Sequence, residues 1–302
     1  MKIDKLIEAI KAKKNPSIVG IDPDYEKLPA CYKKEASSPQ DAILLWAMDV
    51  INAVRDIVPA VKPQMAFFEI YGAQGIDIHQ KIVRYAHDAG LLVIDDSKRG
   101  DIGNTAKAYA HAHLSVDGPI NADFLTVSPF LGTDSLTPFV DIAKRGGKGL
   151  FILVKTSNQG SAVLSEAITK DGEKLRDFLA RYVSTEGKQL VGTYGYSALG
   201  AVVGATFPTE ARELRRVMRE NFFLVPGFGA QGGSVKDILP CFNEDGLGAL
   251  VSSSRDVLYH YLEESDFDGT RSSYIKSVKR RAAWMQSTIH SALAKEFPHM
   301  VY

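Results

Sequence analysis

Short runs of consecutive apolar residues alternate along this chain with longer stretches in which apolar residues recur every three or four positions. The runs fall at 17–22, 59–62, 91–98, 123–128, 149–156, 200–205, 222–226 and 249–254. They are continuous rather than alternating, which predicts strands buried on both faces, as in a parallel sheet covered by helices. Helical spacing predicts helices over 41–57, 76–89, 104–113, 133–145, 172–188, 209–220 and 235–242. Eight strand-then-helix units in about 250 residues match the count and size of a (β/α)8 TIM barrel. An open doubly wound sheet is the rival, and it would more naturally stop at five or six strands.

The two ends extend this pattern. Ile3, Leu6, Ile7 and Ile10 predict an N-terminal helix. A last helix over 271–295 repeats apolar residues at Ile275, Val278, Ala282, Met285, Ile289 and Leu293, and is expected to cover the barrel exterior. No linker or break in composition divides the chain, so residues 1–302 are expected to form a single barrel domain with these two additions. Three connections, 23–38, 157–171 and 227–234, are longer or richer in glycine than plain links. All follow predicted strands, which puts them on the face where barrel enzymes build their sites.

Composition narrows the function classes. The 302 residues carry 36 basic and 36 acidic side chains, so the basic excess typical of a nucleic-acid partner is missing. Asp4 and Glu8 interrupt the N-terminal apolar face, which excludes the core of a signal peptide. No run approaches the length of a membrane span. Cys31 and Cys241 lack metal-ligand spacing and fit reduced thiols, so a cytoplasmic location is expected. His111 and His113 stand two apart on a helix, do not share a face, and read as surface or packing residues.

Candidate chemistry gathers at strand ends. The third run closes as Asp95-Asp96-Ser97-Lys98-Arg99-Gly100-Asp101. Period-two geometry puts Asp96 and Lys98 on one side above Ile94, with Asp101 in the loop beyond Gly100. Lys62 ends the neighbouring strand, and together these residues form an alternating set of two lysines and two aspartates. Two like charges 4 Å apart repel by roughly 4 kcal/mol at an effective dielectric of 20. Interleaving opposite charges keeps all four ionised, as a site that stabilises a carbanion requires. The seventh run leads into Gly227-Phe228-Gly229-Ala230-Gln231-Gly232-Gly233. This contains G-x-G-x-x-G, but it lies late in the chain and lacks the acidic residue of a dinucleotide fold. A loop offering backbone N–H groups to phosphate fits better, with Arg255 just past the eighth strand as a bidentate partner.

Taken in order, Gly20-Ile21-Asp22-Pro23, Asp96 through Thr105, Lys155-Thr156-Ser157-Asn158, Pro226 through Gly233 and Ser254-Arg255 resemble the orotidine 5′-monophosphate decarboxylase family, in its longer bacterial form. The resemblance implies an enzyme of pyrimidine synthesis that needs neither cofactor nor metal. It implies that Asp22 and Lys62 hold the ribose hydroxyls, that Asp96 lies against the substrate carboxylate, and that Lys98 stabilises and then protonates the C6 carbanion. It further implies that Ser157 contacts the pyrimidine, Gln231 bridges pyrimidine and phosphate, and Arg255 binds phosphate. Asp101 and Thr105 would reach into a partner's site, making a homodimer. Ser254 stands where the family has glycine and Gln159 where it has proline, which puts two loop geometries in question. A related metal-dependent decarboxylase of 3-keto-gulonate 6-phosphate shares the D-x-K-x-x-D strand but carries a carboxylate where this chain has Lys62. A catalytically inactive phosphate-binding barrel is the remaining alternative, and it has no need of two lysines beside two aspartates.

Overall fold

The computed structural model describes residues 1–229 and 233–302. Eight strands, β1 (Ser17–Ile21), β2 (Ala60–Pro63), β3 (Leu92–Arg99), β4 (Phe124–Val127), β5 (Gly149–Lys155), β6 (Ser197–Val203), β7 (Asn221–Pro226) and β8 (Ala249–Ser253), close into a barrel in sequence order. Every neighbouring pair is parallel, and β8 pairs back onto β1. Every residue of β1, β2, β4, β6 and β8 is buried, because each strand faces the barrel interior on one side and a helix on the other. The expected TIM barrel is therefore the fold.

The principal helices are α1 (Lys2–Lys13), α2 (Pro39–Val54), α3 (Gly72–Asp88), α4 (Gly103–Leu114), α5 (Thr137–Gly146), α6 (Leu175–Gly187), α7 (Pro208–Val217) and α8 (Arg271–Glu296). The predicted N-terminal helix is α1, and its Ile3, Leu6, Ile7 and Ile10 are buried. Ser38 opens α2 by accepting a hydrogen bond from the Asp41 amide, with Pro39 at the first helical position. In α8 the buried face runs Tyr274, Val278, Ala282, Met285, Ile289 and Leu293. Tyr274 rather than Ile275 leads that face, and its hydroxyl accepts a hydrogen bond from Trp46 Nε1 at 2.6 Å.

Several boundaries differ from expectation. β6 begins at Ser197, before the predicted 200, because the Ser197 hydroxyl reaches the carbonyl of Gly187 and makes a polar start tolerable inside the core. The connection 23–38 contains the 3₁₀ turn Tyr25–Lys27 and the helix Ala30–Glu35. The helix expected over 133–145 is a 3₁₀ turn, Thr133–Leu136, followed by α5, and that over 235–242 is split into Val235–Ile238 and Leu239–Cys241. No helix among the described residues is long and apolar enough to cross a membrane.

Candidate active site

The carboxyl ends of the strands surround a cavity of about 430 Å³. Asp22 follows β1, Lys62 lies in β2 with Gln64 just beyond it, and Asp96 and Lys98 come from β3. Thr156, Ser157 and Asn158 follow β5; Gly227 and Phe228 follow β7; Ser252 to Arg255 close the ring at β8. Six of the nine sequence-predicted residues thus line one cavity: Asp22, Lys62, Asp96, Lys98, Ser157 and Arg255.

β3 reaches into this cavity through a bulge. Asp95 pairs with Leu125 of β4, but the next pair is Arg99 with Val127, so residues 96–98 oppose Thr126 alone. Lys98 carries a φ of 47°, in the left-handed region that a side chain disfavours. Its amide donates to Thr126 Oγ1 at 2.9 Å, while that hydroxyl donates to Asp96 Oδ1 at 3.0 Å. Asp96 and Lys98 share the inner side as predicted, though a bulge rather than plain strand alternation puts Lys98 there.

The Asp96 carboxylate is the centre of the charge array. Lys62 Nζ donates to Oδ2 and Lys98 Nζ to Oδ1, each at 2.6 Å, and Gln64 Nε2 donates to Oδ2 at 3.1 Å. Burial opposes ionisation of Asp96, but the charges of Lys62 and then Lys98 outweigh it and bring the pKa down to about 2. Burial likewise works against the Lys62 ammonium, and the carboxylates of Asp96 and Asp22 overcome that and raise its pKa. The alternating set within one chain is therefore Asp22, Lys62, Asp96 and Lys98. Asp101 does not complete it, contrary to the simplest reading of the motif, because it lies past the end of β3 and accepts a hydrogen bond from the Ile102 amide instead. Thr105 is exposed on α4, and neither residue lines the cavity. Gln231 lies outside the described residues.

The two departures from the family pattern have local explanations. A Cβ on Gly20 would stand 1.9 Å from the Ser254 hydroxyl, so Ser254 occupies space that Gly20 leaves open. Ser254 has a φ of −120°, which needs no glycine. Gln159 is the first residue of the 3₁₀ turn Gln159–Ser161, a position that proline and glutamine both accept. Ser157 is held by Thr206, whose hydroxyl donates to its carbonyl at 3.1 Å. Gly204 permits that approach, since a Cβ there would lie 2.7 Å from Ser157 Cα.

Comparison with known proteins agrees with this geometry. The sequence pattern of the orotidine 5′-phosphate decarboxylase / HUMPS family matches residues 18–257. The chain belongs to that family. It is 42% identical over 278 residues to an orotidine 5′-phosphate decarboxylase of Rhodopirellula baltica, covering 89% of this chain and 91% of that one. A counterpart from Clostridium perfringens is 35% identical over 293 residues, covering 97% of this chain and 99% of the relative. The solved structure of Leishmania donovani OMP decarboxylase superposes with a TM-score of 0.69 at 31% identity, covering 94% and 98% of the two chains. As a member of the orotidine 5′-phosphate decarboxylase family, this chain is an enzyme, a carboxy-lyase.

Three residues of this decarboxylase-family barrel escaped sequence reasoning. Gln64 and Thr126 are neutral, and the only hint of either was a position two residues from another strand-end polar group. Tyr259 has no pattern at all. Its hydroxyl donates to the Asp22 carbonyl and accepts from the Asp24 amide, both at 2.8 Å, and so ties the β1 loop to the segment that carries Arg255. Among the described residues, no group of three or more His, Cys, Asp or Glu side chains is arranged to hold a metal ion.

Proposed function

We propose that this chain converts orotidine 5′-monophosphate to uridine 5′-monophosphate and CO2 without a cofactor, as a cytoplasmic homodimer. The observation that carries the proposal is the Lys62–Asp96–Lys98 array on the cavity floor, with each lysine 2.6 Å from one oxygen of the same carboxylate.

In the proposed step the bond from C6 to the carboxylate carbon breaks, CO2 leaves, and the electron pair stays on C6. That carbanion lies in the ring plane and has no adjacent π-system to receive the charge. Stabilisation must come from charge already in place in a site that excludes water. Lys98 is paired yet partly open to the cavity, so its ammonium can face C6, stabilise the pair and then deliver the proton that completes the product. Asp96 holds Lys98 in that position.

The remaining residues orient the ligand. Asp22 Oδ1 is buried with no hydrogen-bond partner among the described residues, which suits it to accept from a ribose hydroxyl beside Lys62. Arg255 makes no ion pair among the described residues and stands at the cavity edge, where its guanidinium can grip a phosphate, with Gln231 assigned to the same phosphate from the connection that follows β7. Binding energy from that remote phosphate can hold the pyrimidine in place beside Ser157 and lower the barrier at C6. Asp101 and Thr105 lie outside their own cavity. They flank Ile102, which is 58% exposed, while Phe130 on the β4 loop is 75% exposed, and apolar exposure of this kind supports an interface with a second copy.

Purified protein mixed with orotidine 5′-monophosphate, with and without EDTA, tests the assignment. Loss of substrate ultraviolet absorbance at the same rate in both is expected. No turnover, or turnover that EDTA abolishes, would overturn it.

A further inference from the structure

The outer side of β3 carries a buried ionic cluster that the proposed chemistry does not use. Asp96 and Lys98 face the cavity, so Asp95, Ser97 and Arg99 are left toward the surrounding helices. Asp95 is fully buried. Its Oδ2 lies 2.5 Å from His113 Nδ1 on α4, its Oδ1 accepts from the Ser97 hydroxyl, and His79 Nε2 on α3 lies 3.4 Å from Oδ1. Arg99 Nε donates to His113 Nε2 at 3.4 Å. Arg99 also pairs with Glu69 and lies over the Tyr109 ring. One connected set of contacts therefore joins β3 to α3, to α4 and to the short helix Ala66–Glu69.

Packing alone does not call for this. A carboxylate inside a parallel barrel is costly unless its partners are complete, and an aliphatic residue would fill the position more simply. Burial works against the Asp95 carboxylate, and His79 and His113 more than compensate, holding its pKa well below the ordinary value. What the cluster brackets is the bulge. Asp95 and Arg99 are the last and next paired residues on either side of 96–98, and Ser97 is the bulge's own outward residue. Lys98 sits inside it with the left-handed backbone that a side chain disfavours.

We infer that the Asp95–His113–Arg99 cluster is a positioning device. It clamps the bulge from outside the barrel and thereby keeps Lys98 in the one backbone conformation that points its ammonium at the reacting carbon. Asp95, Ser97 and His113 touch no substrate and act through Lys98, so this inference rests on the role proposed for Lys98.

The test compares full-length Asp95→Asn, His113→Ala and Ser97→Ala with the native enzyme, measuring kcat, KM and Tm with orotidine 5′-monophosphate. Ile289→Ala, in the buried face of α8, supplies loss of Tm far from the site, and Lys98→Ala supplies the reference for a lost proton donor. For Asp95→Asn and His113→Ala, kcat is expected to fall about tenfold or more with KM within about twofold, since small misplacements of a reacting group carry penalties of that size. Ser97→Ala removes one hydroxyl and is expected to fold and to lose about threefold in kcat by the same misplacement. The clamp is overturned if Ser97→Ala and His113→Ala keep native kcat, or if Ile289→Ala loses kcat equally at matched loss of Tm. Should Lys98→Ala itself retain the native rate, the role of Lys98 fails first and takes the clamp with it.

Discussion

Lys98→Ala is expected to lower kcat for orotidine 5′-monophosphate by at least about 10³-fold, the combined scale of a lost proton donor and a lost electrostatic stabiliser. Binding should change far less, because Asp22, Ser157 and Arg255 line other parts of the cavity. Folding should also be nearly unaffected. The Lys98 side chain is 43% exposed, and Asp96 retains Lys62 and the Thr126 hydroxyl after its removal. Steady-state rates at high protein concentration, together with Tm, check both halves. A variant with native Tm and a rate within tenfold of native would remove Lys98 from the chemistry.

Asp96→Asn should damage both activity and stability. Lys62 would remain buried with its main counter-charge gone, and breaking one side of a buried pair costs about 3–5 kcal/mol. The pH dependence has a definite sign. Asp96 has a folded pKa of about 2 against an ordinary 3.8, so the stability it contributes is fully present above about pH 4 and disappears as pH falls toward 2. Urea unfolding at several pH values should therefore show native and variant proteins converging below pH 4. Asp123, brought down to about 2 by His87 and Lys2 against the opposing effect of burial, titrates in both and supplies a shared acid limb. A stability gap that stays constant from pH 6 to pH 3 would contradict the ion-pair description.

The barrel was legible because its strands are buried on both faces, and continuous runs such as Val93-Ile94 and Leu150-Phe151-Ile152 have few other uses. Boundaries failed where polar residues do local work, as at Ser197. In the site, the charged residues of β2 and β3 stood out because charge at the end of a buried strand is costly unless paired. Gln64 and Thr126 carry no charge and left no such trace. Asp95 was passed over beside Asp96, although a second charge in the same buried strand calls for outward partners, and His113 was assigned only a surface or packing role. Pairing between His113 on α4 and Asp95 on β3 depends on tertiary contact that spacing along one helix does not report. Asp101 belongs to the same motif, and the bend after β3 carries it away from its own chain's cavity, while the role in a partner's site that the resemblance implies depends on a second copy.

The arrangement of C6 against Lys98 is open to direct measurement in a crystal structure with uridine 5′-monophosphate bound. C6 of the product should lie within about 3.5 Å of Lys98 Nζ, the reach needed for proton delivery, with the phosphate on Arg255 and the ribose hydroxyls at Asp22 and Lys62. Product bound with C6 directed away from Lys98, or bound outside the ring of Asp22, Lys62, Asp96 and Lys98, would contradict it.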